Sequence, residues 1–119
     1  MLPYFIMDCI QSKRLRNIWT QKEYLLESKM LNALENLFNL AEERKKNPVE
    51  GSYTNKLLND KNLSKEKILE EINELIEAVE KNSNKIHESA DVFYHLVMYL
   101  EANNIKINEV MAELSKRKK

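Results

Sequence analysis

Two short acidic words occur in this chain of 119 residues, "EINE" from Glu71 to Glu74 and "ESAD" from Glu88 to Asp91. Each spaces its acids i, i+3, so on a helix both carboxylates of a word share one face. Placed on neighbouring antiparallel helices, the four carboxylates converge. Four like charges at close range repel unless a proton or a cation neutralises them. Hard oxygen donors of this kind select Mg²⁺, with Mn²⁺ as the substitute, over zinc, and Mg²⁺ keeps positions open for a phosphate-bearing ligand. The competing reading is a solvated helix face, which a run such as "EEINELIEAVE" also describes. On spacing the two readings weigh about equally.

His95 lies one turn beyond Asp91 on the same strip, since 88, 91 and 95 step by three and four. A lone histidine in an apolar helix is most often a hydrogen-bonded core residue; here its place also suits a partner standing behind the acids. His87 reads as exposed surface. A second constellation is "GSYT", residues 51 to 54, which joins the only glycine of the chain to three hydroxyls and to free amides opening a short helix. Such a turn suits a phosphate, and Arg44, Lys45, Lys46 and Lys56 surround it with positive charge. By spacing alone the plainer reading is favoured: Ser52 and Thr54 cap the next turn, and the cations are solvated.

The elements that must carry these residues are helices. One glycine and two prolines are too few to build strand turns, and Leu, Glu, Lys and Asn abound. Apolar spacing predicts helices over 8–27 and 29–46, the second stopped by "ERKKNP". A third starts at Ser64 as N-cap and ends at "KNSN"; a fourth spans 84–103; the last starts at Asn108 as N-cap. On the third helix Ile68, Ile72, Leu75, Ile76 and Val79 form a stripe bordered by Glu71, with Glu74 beside it and Glu70 and Glu77 toward solvent. On the fourth, Ile86, Phe93, Leu96, Val97 and Leu100 lie opposite the acids, and Val92, Tyr94, Met98 and Tyr99 fill the flanks. A helix apolar nearly all round is buried on more than one side, here against its own chain and a partner subunit. The expected fold is all-α, a bundle of four or five helices completed by dimerisation.

Nineteen basic residues balance nineteen acidic ones, so nothing pulls the chain as a whole toward nucleic acid or an anionic membrane. The basic "KRKK" tail reads as solvated, and Lys13, Arg14 and Arg16 form a small local excess. A single cysteine, Cys9, excludes an internal disulfide and a thiolate zinc cluster and fits a reducing compartment. "LPYFIM" is too short for a signal-peptide core and no stretch is long enough to span a membrane. A cytoplasmic protein is expected.

Taken together, "LAEERKKNPVEGSYTNKLL", "KILEEINELIEA" and "ESADVFYHLVMYLEANNIKINEVMAEL" resemble the phosphoribosyl-ATP pyrophosphohydrolases of histidine biosynthesis, over about residues 30 to 117. The paired acids belong to the wider superfamily of all-α nucleoside triphosphate pyrophosphohydrolases; "GSYT" after "ERKKNP", and "ADVFYHL" with His95, narrow the resemblance. It implies an all-α fold with a bundle formed by two chains, and Mg²⁺-dependent hydrolysis of phosphoribosyl-ATP to phosphoribosyl-AMP and pyrophosphate. It implies Glu71, Glu74, Glu88 and Asp91 as metal ligands, with Glu70 or Glu74 orienting the attacking water. Arg44, Ser52, Tyr53, Thr54 and Lys56 would meet the substrate, with His95 behind the ligands. The chain departs from the family pattern at Leu69, where glycine is usual, and at Asn73 and Glu77, where smaller or shorter residues are; no ligand is lost.

Residues 1 to 28 fall outside the resemblance and read as a helical extension of unassigned role ahead of a domain over 29–119, with Met30 an alternative start. Some organisms fuse this enzyme behind phosphoribosyl-AMP cyclohydrolase, whose zinc site one cysteine cannot supply, so that activity is not expected. Two rival functions share parts of the pattern. A house-cleaning pyrophosphatase for dUTP or aberrant nucleotides would need the acids and not "GSYT"; a non-enzymatic helical dimerisation module would need neither.

Overall fold

The computed structural model describes residues 21 to 117, with side chains from Leu31 onward. The expected helix over 8–27 therefore lies outside the described residues as far as residue 20, as do Cys9 and the basic residues beside it. Five helices follow in order: α1 Gln21–Lys46, α2 Tyr53–Asn59, α3 Lys61–Lys81, α4 Lys85–Ala102 and α5 Ile107–Lys116. Among the described residues there is no strand, and the all-α expectation holds. Contacts divide the chain into a unit spanning Asn36–Lys106 and a second formed by what flanks it on both sides. The predicted site residues all fall in the first.

α1 runs unbroken for 26 residues, through the joint expected between 27 and 29. "ESKMLNALEN" holds neither glycine nor proline, and one internal serine costs a helix only about 0.5 kcal/mol. Arg44, Lys45 and Lys46 occupy the last turn, where cations offset the helix dipole, and Pro48 follows. The Lys45 ammonium donates to the Glu101 carbonyl at 2.9 Å and to Asn104 Oδ1 at 2.7 Å, and so closes the C-terminal end of α4.

Ser64 does not cap α3. Asp60 does, its carboxylate accepting from the Leu63 amide at 3.0 Å while its own amide closes α2 on the Lys56 carbonyl. One residue thus ends a helix and starts the next, and Ser64 is left one turn inside, buried. At the other end Asn82 and Asn84 both adopt left-handed backbone, at φ 54° and 55°. Asparagine tolerates this conformation better than most residues, and "KNSN" reverses the chain in three residues. α5 begins at Ile107, a residue before the expected cap; Asn108 Oδ1 instead accepts from the neighbouring Glu109 amide.

α3 and α4 form an antiparallel hairpin, with α2 packed against both. Along α3 the inward residues are Ser64, Ile68, Glu71, Leu75 and Ala78; along α4 they are Glu88, Asp91, His95, Met98 and Ala102. Both rows step alternately by three and four, the spacing of a two-helix seam. Acids therefore occupy places that such a seam normally gives to apolar side chains. The apolar stripe faces the other way: Ile72, Ile76 and Val79 are 39%, 52% and 57% exposed, and Phe93 on α4 is 55% exposed. Among the described residues α4 is buried on one side only. The core beneath the seam comes from Ala41, Leu57, Leu58, Ile68, Val97 and Met98.

Candidate active site

Because the seam brings α3 and α4 together, the two acidic words meet. One carboxylate oxygen each of Glu71, Glu74 and Glu88 lies within 4.8 Å of the others, and Glu88 forms a second such group with Asp91 and His87. Glu88 joins the two sets. The Oε2 atoms of Glu71 and Glu88 are buried and receive no hydrogen bond. Burial, above all, pushes the Glu71 carboxyl up to about 7; a hydrogen bond with Glu74 and the charges of Glu74, Asp91 and Glu88 push the same way. Orphaned buried carboxylate oxygens cost several kcal/mol unless a positive charge compensates them. An all-oxygen donor set with this need fits a hard divalent cation. Beside the cluster, Glu74 and Glu88 line a cavity of about 300 Å³ that ends at Lys81, Ser83 and Asn84 of the hairpin turn.

His87 is exposed, as the sequence suggests, yet its Nε2 lies 3.3 Å from Asp91 Oδ2. Its i, i+4 spacing to Asp91 carries that signal. Glu70 does not join the cluster. Its carboxylate pairs with Lys67 at 3.4 Å, one turn toward the N-terminus of α3.

His95 is buried behind Asp91. Its Nδ1 lies 2.8 Å from the Asp91 carbonyl, which can only accept, so Nδ1 carries the hydrogen. In the neutral ring Nε2 is then an acceptor, and the Tyr53 hydroxyl donates to it at 2.9 Å. Tyr94 meets the His95 ring edge to face, with centroids 5.1 Å apart, and its hydroxyl bonds the buried Thr54 Oγ1. Thr54 is thereby turned inward, whereas Tyr53 stays half-open to solvent. Partial burial raises the pKa of the Tyr53 phenol; the positive charge of Lys67 opposes that rise, and Tyr94, Glu71 and Glu70 add to it. Tyr53 thus stands within electrostatic reach of the acids.

In the loop before α2, Gly51 takes φ +80°, a conformation that side-chain-bearing residues rarely adopt. Ser52 Oγ accepts from the Asn55 amide at 3.2 Å and from Arg44 Nη1 at 2.8 Å, so Ser52 is the N-cap of α2 and Arg44 is engaged in holding it. Asn55, buried and not anticipated, donates to the Arg44 carbonyl and accepts from the Val49 amide, both at 2.9 Å. A single asparagine inside "SYTNKLL" carries no sequence signal for this. Lys56 remains exposed and lines, with Ser52, Asn59 and Asp60, a cavity of about 560 Å³. Of the "GSYT" residues and their cations, Tyr53 and Lys56 keep solvent-facing groups, while Ser52, Thr54 and Arg44 are occupied in positioning them.

Residues 31–118 match the family model described as phosphoribosyl-ATP pyrophosphohydrolase. A phosphoribosyl-ATP pyrophosphatase of Clostridium acetobutylicum is 45% identical over 89 residues, covering 71% of this chain and 79% of that one. One of Bacillus mycoides is 43% identical over 93 residues, covering 74% and 85%. A histidine biosynthesis bifunctional protein of Pyrococcus furiosus is 42% identical over 92 residues, covering 75% of this chain and 43% of its own longer one. No solved structure matches the chain. A match that takes in α2, both acidic helices and every residue of the cluster, beside relatives of this identity and coverage, makes the chain a member of the phosphoribosyl-ATP pyrophosphohydrolase family.

Proposed function

We propose that this chain hydrolyses phosphoribosyl-ATP to phosphoribosyl-AMP and pyrophosphate, the second step of histidine biosynthesis, in the cytoplasm and as a homodimer. The observation that carries the reading is the convergence of Glu71, Glu74 and Glu88, with Asp91 beside Glu88, in a seam where carboxylates are costly unless they serve a ligand. These four acids would hold Mg²⁺, or Mn²⁺ in its place. Such an ion, when bound, supplies charge neutralisation on the phosphates and a more acidic water.

The remaining work falls to the chain itself. Glu74, the exposed member of the cluster, faces the adjoining cavity and suits the orientation of a water; Glu70 is the alternative, released from Lys67. His95 fixes the Asp91 backbone and presents the Tyr53 hydroxyl at the edge of the cluster. Lys56 stands open for a substrate phosphate, with Arg44, Ser52 and Thr54 keeping the loop in shape. The exposed row Ile72, Ile76, Val79 and Phe93 supports the dimer, since a contiguous apolar face of this kind marks an interface.

No helix among the described residues is long and apolar enough to cross a membrane. The test is pyrophosphate release from phosphoribosyl-ATP and from dUTP, each with Mg²⁺ and with excess chelator. Mg²⁺-dependent turnover of phosphoribosyl-ATP alone is expected. Turnover of dUTP in its place would keep the metal site and overturn the substrate.

A further inference from the structure

Lys67 belongs to neither acidic word and has no part in the "GSYT" loop, yet it stands beside both. It lies one turn before Glu71 and two before Glu74, and i, i+4, i+7 residues share a helix face. Its side chain is only 34% exposed, and the charges of Glu70, first, and of Glu71 favour its ammonium form. Among the described residues its ion-pair partner is Glu70, at 3.4 Å, a loose contact next to the 2.6 Å pair of Lys81 and Glu77 on the same helix. Of the other cations nearby, Arg44 is held on Ser52 and Lys45 on the end of α4, while Lys56 stands open on the loop side. Glu70 and Glu71 both favour the charged ammonium, so Lys67 stays positive throughout the working pH range.

On the reading proposed above, we infer that Lys67 is a substrate ligand that exchanges the Glu70 carboxylate for an oxygen of the departing pyrophosphate. The chemistry selects that end of the substrate. As the phosphoanhydride opens, negative charge grows on the pyrophosphate, and a cation placed there acts more strongly on the transition state than on the bound substrate. An exposed carboxylate is a weak partner that costs little to leave, since solvent and salt screen surface pairs of this kind. Tyr53, its hydroxyl hydrogen given to His95, has no proton to set against this ammonium. Glu70, once released, is free to face water.

The test compares wild type with Lys67→Met, Lys67→Gln and Lys67→Arg, checking fold by circular dichroism. Steady-state turnover of phosphoribosyl-ATP with Mg²⁺ is one readout, inhibition by added pyrophosphate a second, and Mn²⁺ affinity in the absence of nucleotide a third. Lys67→Met should lower kcat/KM by about 100-fold, the scale for one electrostatic group in a charged transition state. It should raise the pyrophosphate inhibition constant by about 10-fold, or 1.4 kcal/mol. Mn²⁺ affinity and phosphoribosyl-AMP inhibition should stay near wild type, and Lys67→Arg should recover part of the loss.

Unchanged kcat/KM and pyrophosphate inhibition in a folded Lys67→Met or Lys67→Gln protein would overturn the inference. So would an equal fall in Mn²⁺ affinity, which would mean that Lys67 shapes the acids and does not bind phosphate. An equal loss in Lys81→Met would overturn it too, by exposing a diffuse charge effect. Failure of the wild-type protein to turn over phosphoribosyl-ATP would instead remove the functional reading on which the inference rests.

Discussion

Around Asn55 each polar group has a partner: its carboxamide spans the Arg44 carbonyl and the Val49 amide, and Ser52 takes both the Arg44 guanidinium and an α2 amide. Around Glu71 the reverse holds. Buried carboxylate oxygens of Glu71 and Glu88 face one another's charge without a donor, in a seam that could have been built from leucine. The loop is complete as protein structure, and satisfied buried hydrogen bonds make it rigid. The seam is locally unfavourable, and buried charge of this kind persists where it serves a function. Stability resides in one region and chemistry in the other, joined by the hydrogen bond from Tyr53 to His95.

The sharpest way to break this contrast is to neutralise the seam. Glu74→Gln or Asp91→Asn should lower turnover by about 10²–10³-fold, as expected for loss of one group that stabilises transition-state charge. The same change removes a like charge from the cluster, so the metal-free protein should melt at the same temperature as wild type or higher. Turnover near wild type in either variant would show that the acids are surface decoration. Lower stability without metal would show that they are structural.

The loop should respond in the opposite sense. Asn55→Ala leaves the Val49 amide and the Arg44 carbonyl without their partner, and a buried group left unsatisfied costs about 1–3 kcal/mol. Urea denaturation should register a loss of that size, with Mn²⁺ affinity at the acids retained. If Mn²⁺ affinity fell along with stability, the two regions would not be separable.

Helical spacing made the acids legible. A period of three and four residues fixes which side chains share a face whatever the surroundings, so Glu71 with Glu74 and Glu88 with Asp91 could be paired before any fold was known. Which face turned inward could not be read the same way. Hydropathy singles out Ile72, Ile76 and Val79, while the seam within the chain runs through Ser64, Ile68, Glu71, Leu75 and Ala78. Apolar content reports that a surface wants cover, not which partner covers it. Ser64 and Asp60 are both good N-caps, and only the position of α2 decides between them. Asn55 draws its importance from a neighbour brought close by folding, Arg44, and no local pattern announces that.

The smallest effect concerns protons. The Glu71 carboxyl, ordinarily near 4.5, stands at about 7 in the folded chain, chiefly because it is buried. Between those values the folded state holds a proton that the unfolded state has released, so this group's contribution to stability falls as pH rises through the window and is fully present below it. The metal-free protein should therefore melt higher at pH 5.5 than at pH 8, by a few degrees given what ~1 kcal/mol does to a domain of this size. Glu71→Gln should flatten that slope, because an amide stays neutral at every pH. Mg²⁺ should have the opposite dependence, stabilising most above pH 7 and releasing protons on binding at pH 6, since a ligand carboxylate must be ionised. Melting curves across pH, with and without Mg²⁺, in wild type and Glu71→Gln, separate these contributions. A slope that survives the substitution would place the proton on another group of the protein.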